Sequence, residues 1–329
     1  MTLLTGSALS QIIVIAASPI LTRLFSPEIF GSSALFLSIC SILLIFTTLR
    51  YELPIIQTQD NQNALSLVML SILTSISFFI IFELLIIIFI NNIKILELNN
   101  NFNNLLPLLP LYVLLSNIHR IIVNYMNKNK FYKIISVNQI VQSFFKVISK
   151  VIFGLLVIPF NGIILGNVIG QFLSTSLIVI RFFRLKIDKA IIIKSFKKIK
   201  HNAYYYKNFP KYILLSDSVN TFALQSPFLL IGYLFSIKDL GFLSLAYSVS
   251  SVPLNFIGTS LSRVFRQQAA DDFNKTGRCD ELFLQMLNKL ILYLIFPFLL
   301  LFFTAPFLFK IVFGANWIIS GHMVQILTA

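Results

Sequence analysis

Lys146 and Lys150 are the residues whose type and spacing point most directly to chemistry. They stand four residues apart in an otherwise apolar stretch, so on a helix they share one face. Facing hydrocarbon, the pair would cost about 5–7 kcal/mol, at about 2.5–3.5 kcal/mol for each lysine. A watery cavity holding a phosphorylated or acidic ligand removes that cost, because a lysine ammonium is a compact point-charge partner for phosphate. The structural alternative is that both snorkel or pair with a carboxylate.

The carboxylates come next. Asp217 lies about 7–8 Å into a later apolar segment at the helical rise, near Asn220 and, farther in, Gln225. It can pair with a cation of the first or fifth segment, carry a coupling H⁺ or Na⁺, or sit at a helix N-terminus where the macrodipole favours it. Glu83, in the outer half of the third segment, is a candidate proton relay or a packing residue. Arg23 closes the first segment and either gates with Glu28 or anchors at the interface; Arg50, Tyr51 and Glu52 are its counterpart on the other side. His119 and Arg120 read as flank residues at the end of the fourth segment, with a place in a cavity as the alternative. No nucleophile–base pair, glycine-rich phosphate loop or metal-ligand spacing is present, and Cys40 and Cys279 lie in different environments. The expectation is a protein that is not an enzyme and has no cofactor or metal beyond a coupling ion.

The elements that must position these residues follow from composition. At 57% hydrophobic and 12% charged, with mean hydropathy +0.85, the chain is not a soluble globular protein, which carries roughly a quarter charged residues. Apolar runs long enough for a bilayer core of about 30 Å recur, and in hydrocarbon such runs must be helices. The fold class is therefore all-α and polytopic. Ten apolar segments are expected, over 2–22, 31–49, 64–90, 105–126, 134–158, 159–183, 212–235, 241–262, 286–309 and from 318 onward. The first is too long and lacks the charged lead of a signal peptide. Pro19, Pro227 and Pro253 fall inside segments, where proline removes a helical hydrogen bond.

The net charge of +14 is unevenly placed. Lys and Arg gather after the second, fourth, sixth and eighth segments, and the odd loops hold only Arg23, Lys94, Lys238 and Lys310. The positive-inside rule then puts the even loops and the N-terminus in the cytoplasm, and argues against nucleic acid as the partner. The stretch 184–211 alternates Lys186, Lys189, Lys194 and Lys197 with Ile191, Ile193 and Phe196, as an amphipathic helix at the cytoplasmic interface attracted to anionic lipid would. It separates a six-helix bundle over 1–183 from an incomplete second bundle over 212–329. The halves echo one another. Leu24-Phe25-Ser26-Pro27-Glu28-Ile29-Phe30-Gly31 returns as Leu234-Phe235-Ser236-Ile237-Lys238-Asp239-Leu240-Gly241, and Ser18-Pro19 as Ser226-Pro227. Paired repeats are a transporter architecture, in which one half rocks against the other.

Thr5-Gly6 with Ser18-Pro19-Ile20-Leu21-Thr22-Arg23 and the turn that follows resembles the opening of bacterial polysaccharide-biosynthesis flippases of the Wzx, O-antigen translocase type. Arg50-Tyr51-Glu52-Leu53-Pro54-Ile55, Asn208-Phe209-Pro210, Gln225-Ser226-Pro227, Arg263-Val264-Phe265 with Gln267-Gln268-Ala269-Ala270, and Phe313-Gly314 with Trp317 resemble later landmarks, in order along the chain. The resemblance implies the multidrug/oligosaccharidyl-lipid/polysaccharide (MOP) exporter fold, with two bundles around a central cavity. It also implies transfer of undecaprenyl-diphosphate-linked oligosaccharide across the bacterial inner membrane by alternating access, alongside other polysaccharide-assembly proteins. That family has at least twelve helices, whereas the tenth segment here is the last. The rivals are a drug or metabolite exporter of the same superfamily, which would favour an acidic cavity, and a membrane polymerase or ligase. The latter would present a long basic outward loop, whereas 91–104 is Asn-rich and nearly uncharged.

Overall fold

The computed structural model describes residues 2–89, 105–156, 161–185, 189–276 and 280–328. The outward loop 91–104, Pro159, Lys186 and Cys279 lie outside them, and of Lys189 only the backbone is described. Among the described residues the protein is all-α, with twelve α-helices. In order these are α1 (Thr2–Leu24), α2 (Pro27–Thr47), α3 (Asn61–Phe89), α4 (Leu108–Lys128), α5 (Tyr132–Leu155) and α6 (Gly162–Phe183). Then come α7 (Lys189–Lys197), α8 (Ile199–Tyr205), α9 (Leu214–Leu234), α10 (Ile237–Thr276), α11 (Asp280–Val312) and α12 (Ile318–Thr328). Each expected apolar segment is a helix, and the basic stretch forms α7 and α8. Among the described residues, five helices are long and apolar enough to cross a membrane by length and composition: Thr5–Leu24, Pro27–Thr47, Asn61–Ile88, Gly162–Phe183 and Leu282–Val312. Helices α4 and α5 carry buried polar residues, Asn117 and His119 on one and Asn138 and Ser149 on the other.

The chain divides into two compact units, Met1–Leu240 and Gly241–Ala329. In the first, α5 is packed between α1 and α6, α4 lies against α2, α3 and α6, and α9 runs along α2. The α5–α6 contact is made by glycine. A Cβ on Gly166 would come within 2.7 Å of the Lys150 backbone nitrogen, and one on Gly170 within 2.6 Å of that of Lys146. Nearer the start of α5, Gly6 of α1 gives the same close approach to Ser136, 2.7 Å from its Cα. Small residues at helix interfaces let backbones approach when no hydrophobic driving force separates helix from lipid. In the second unit, α12 seats Gly321 against Pro306 of α11, and the Trp317 ring, 1% exposed, meets the edge of Phe242 at 5.9 Å.

The repeated turns are matched in structure. Ser18 Oγ donates to the carbonyl of Ile15 at 2.6 Å, and Ser226 Oγ to that of Ala223 at 2.9 Å. These are the carbonyls that Pro19 and Pro227 cannot serve, having no N–H, so each serine supplies the bond its neighbour removes. Ser26 and Ser236 then stand at the two helix starts: Pro27 follows Ser26 at the first helical position, and Ser236 Oγ accepts from the Asp239 backbone N–H at 3.0 Å. The two turns meet through Lys238 Nζ and Glu28 Oε1, 3.7 Å apart.

The basic linker is bound to the bundle. Ile191, Ile199, Ala203 and Tyr206 pack on the cluster of Tyr51, Ile55, Leu65 and Val68. Tyr51 Oη donates to the Ala203 carbonyl at 3.1 Å, and Lys198 Nζ lies 3.4 Å from Asp60 Oδ2. To the expected interfacial helix the structure adds a protein contact. Its inner face has a protein partner, because an apolar strip beside α3 is buried more cheaply on protein than left in water.

Two outcomes follow. Gly166→Val or Gly170→Val forces α6 away from α5; a loss of about 1–3 kcal/mol of stability should appear as a melting midpoint lowered by several degrees in detergent. For the linker, the Gln62 backbone N–H, 3.0 Å from Oδ1, holds the Asp60 carboxyl below its ordinary range, and Lys198 adds to this. A depressed folded value means the tether is fully present above the ordinary carboxylate range and is lost as pH falls through the depressed value. Amide exchange in α7 and α8, corrected for its intrinsic pH dependence, should therefore be flat near neutrality and rise only in strong acid.

Candidate functional site

The α5–α6 contact decides where the two lysines go. Because Gly166 and Gly170 touch the Lys150 and Lys146 backbones and their Cγ atoms, both side-chain stems start inside the first unit instead of in lipid. Lys146 Nζ reaches the ring of Tyr112 on α4, 5.7 Å from its centroid, a cation–π placement. Tyr112 is 8% exposed and packs edge-on to Phe36 of α2 at 5.9 Å. The Lys146 ammonium thus lies in the interior bounded by α2, α4, α5 and α6. Among the described residues no carboxylate is within ion-pair distance of either lysine. The pairing alternative therefore finds no partner there.

One turn from Lys146 is a cluster of neutral polar groups. Gln142 Nε2 donates to Gln171 Oε1 at 2.8 Å, and each glutamine nitrogen lies 3.3 Å from His119 Nδ1. Gln171 Nε2 also reaches Thr175 Oγ1 at 3.2 Å. His119 is 7% exposed and is an interior residue, which corrects its reading as a cytoplasmic flank. Its polar partners on α5 and α6 offset the cost of burying the ring. Around this cluster, Asn167 Nδ2, Gln139 Oε1 and Asn138 Oδ1 are buried atoms without a hydrogen-bond partner among the described residues. Cationic, amide and hydroxyl groups, with unspent hydrogen-bonding capacity, make an interior suited to an anion bearing hydroxyl groups.

A second set of charges closes the base of the same unit. The chain reverses after α2 through Leu49 and Arg50, both left-handed at φ +49° and +63°, an uncommon conformation that needs support from its surroundings. That support is an ion network. Arg50 Nη1 lies 3.3 Å from Glu52 Oε1, Arg50 Nε 2.9 Å from Asp217 Oδ2, and Arg120 Nη2 3.1 Å from Glu52 Oε1. Arg120 Nη2 also donates to the Leu44 carbonyl at 2.9 Å and to Asn117 Oδ1 at 2.8 Å, and Asn117 Nδ2 bonds Thr47 Oγ1. Asn124 Nδ2 holds the Glu52 carbonyl at 2.9 Å. Two guanidiniums and two carboxylates make the group electrically neutral. It ties the loop after α2, the helix α4 and the first turn of α9 together.

The remaining candidates fall into place around this frame. Asp217 pairs with Arg50, not with a cation of α1 or α5, because the first turn of α9 lies against the end of α2. Arg120 is a network member, not a flank residue. Glu28 meets Lys238, and Arg23 is exposed, so the two do not form the suggested gate. Glu83, partly buried on α3, leaves its Oε2 without a hydrogen-bond partner among the described residues. Among those residues no three His, Cys, Asp or Glu side chains are grouped to hold a metal. Sequence reasoning missed Tyr112, Gln142, Gln171 and the glycines. A signal was present for the glycines, since Gly162, Gly166 and Gly170 recur every fourth residue on α6.

The network predicts unequal costs. Glu52 is fully buried while the Asp217 side chain is 35% exposed. Glu52→Gln leaves two guanidiniums facing no buried carboxylate and should cost about 3–5 kcal/mol. Asp217→Asn removes a partly solvated pair and should cost about 1 kcal/mol or less. Melting midpoints of the two variants in one detergent measure the difference.

The polysaccharide biosynthesis protein family matches residues 20–321, nearly the whole chain. No curated protein matches. Among solved structures, an inward-facing multidrug resistance MATE family transporter of the MOP superfamily aligns with a TM-score of 0.68, over 97% of this chain and 76% of that one, at 12% identity. At that identity the likeness concerns the fold, and it agrees with what the flippase-like motifs implied. The chain belongs to the polysaccharide biosynthesis protein family and is an all-α, multi-pass membrane protein with the fold of the MOP-superfamily transporters.

Proposed function

We propose that this protein is a flippase that moves undecaprenyl-diphosphate-linked oligosaccharide between leaflets of the bacterial inner membrane by alternating access, with its N-terminus in the cytoplasm. The observation that carries the reading is the pair Lys146 and Lys150. Both are inside the first unit, without a carboxylate partner among the described residues, one over the Tyr112 ring and within a turn of the His119, Gln142 and Gln171 cluster. Two ammonium groups answer the charge of a diphosphate, and amides and an imidazole answer sugar hydroxyls. No covalent step is involved, so no nucleophile is needed. Glu83 is the coupling carboxylate in this reading, since Glu52 and Asp217 are held by arginines.

The rival is export of a drug or metabolite. Unpaired lysines disfavour a cationic drug, because like charge in a low-dielectric site is repulsive.

The test uses Lys146→Met/Lys150→Met, which keeps the stems that pack on Gly166 and Gly170 and removes only charge. Each charge-assisted contact is worth about 1.5–3 kcal/mol, so binding of undecaprenyl diphosphate to the purified protein should weaken at least tenfold, at about 1.4 kcal/mol per decade. Rescue of surface polysaccharide in a flippase-null strain with a matching glycan pathway should fall with it. Undiminished binding in a folded double variant, or stabilisation by organic cations in place of the lipid diphosphate, would remove this reading in favour of the exporter.

A further inference from the structure

The linker helices carry a face that the bundle does not use. On α7 and α8, Ile191, Ser195, Asn202 and Tyr206 recur at intervals of four, seven and four residues and form the inner stripe. Ser195 is fully buried and Asn202 is 2% exposed, and Asn202 Nδ2 lies 3.5 Å from Asn63 Oδ1. Ile193, Phe196, Lys200 and Tyr204 recur at three, four and four residues and project on the opposite side. Ile193 is 61%, Phe196 64% and Tyr204 71% exposed. A helix pair apolar on both sides, with one side already covered, has a second apolar surface to place.

The chemistry of that surface is specific. Residues 189–216 hold seven lysines and no Asp or Glu, and Lys194, Lys197 and Lys200 flank the exposed isoleucine, phenylalanine and tyrosine. Farther along, Lys207 Nζ stands 4.1 Å from the Tyr204 ring centroid and Lys211 Nζ 4.9 Å from that of Tyr212. Aromatic rings beside ammonium groups suit the boundary between headgroups and acyl chains, where one end of each side chain is wet and the other apolar. The stretch leaves α6 at Phe183 and enters α9 at Leu214, both ends of apolar helices, so it lies near the membrane surface. A nucleic acid would use the lysines and leave Ile193 and Phe196 in water.

We propose that the outer face of α7 and α8 docks on the anionic phospholipid headgroups of the bordering leaflet, with Ile193, Phe196 and Tyr204 inserted and the lysines on the phosphates. The linker is then clamped between protein and lipid. Its inner stripe seals the α3–α4 end of the first unit, and its outer stripe holds that end to the leaflet.

The full chain, with Cys40→Ala, Cys279→Ala and Phe196→Cys carrying a nitroxide label, is reconstituted in vesicles of phosphatidylcholine or of phosphatidylcholine with about 30% phosphatidylglycerol. Docking should lower collision of the label with a water-soluble relaxant at least about fivefold in the anionic vesicles, and about 0.5 M salt should restore most of it. Adding Lys194→Gln, Lys197→Gln and Lys200→Gln should abolish the difference. Equal accessibility in the two vesicle types overturns the proposal, and that comparison needs no lysine variant to fold. Protection that survives the lysine changes overturns it as well, because the contact would then be apolar and indifferent to headgroup charge.

Discussion

The approach of α6 onto α5 through Gly166 and Gly170 is the constraint on which the interior of the first unit depends. Two helices cannot come this close with side chains between them, and where lipid is as apolar as the helix surface, such backbone contact is what makes them associate. With α1 equally close at Gly6 and Ser136, α5 meets backbone on two of its neighbours. The polar residues of α5 turn toward α4 and α6, and Lys146 ends over Tyr112. A pair of charges that would be prohibitive on a lipid face becomes the main chemical feature of the interior.

The same accounting of polar groups explains the rest of the unit. Backbone and side-chain polar atoms within hydrocarbon must find partners in the protein. Where proline removes a donor, the preceding serine supplies one, at Ser18 and again at Ser226. Where Arg50 takes a left-handed backbone, Glu52, Asp217 and the α4 side chains hold it. Asn161 shows the economy of such sites. Its Oδ1 caps α6 by accepting from Ile163 and Ile164 N–H, and its Nδ2 donates to Ile29 and Ser32 of α2. One residue therefore starts a helix and joins two. Among the buried atoms left over are those on Asn138 and Gln139 of α5, which carries the lysines, on Asn167 of α6, and on Ser66, Ser71 and Glu83 of α3.

Much of the fold was legible because its causes are local. Apolar runs, the turns after Leu24 and Leu234, and the change of period at the basic linker are written in neighbouring residues. The lysine pair was legible too, since the cost of a charge in hydrocarbon depends on its own segment. Pairings were not. Charge by segment leaves Asp217 open between a cation of α1 or α5, a coupling ion and a helix N-terminus, and Arg23 open between a gate with Glu28 and an interfacial anchor. The partners of Asp217 and Glu28 are Arg50 and Lys238, which lie more than 150 residues away in sequence. His119 and Arg120 looked like flanks because polar residues at a segment end usually are; burial of His119 among α5 and α6 amides is a property of three helices together.

By itself, then, the sequence determined that this protein is a set of membrane helices, where most of them begin and end, which side of the linker is basic, and that two lysines share a face. Periodicity, proline and the cost of charge in lipid act within one segment, so they can be read along the chain. Only the tertiary structure decided which way that face points, that Glu52 joins two arginines, and that the inner stripe of the linker rests on α3 and α4. Each of these depends on how closely helices approach, and that distance is set by glycines and caps acting between segments far apart in sequence.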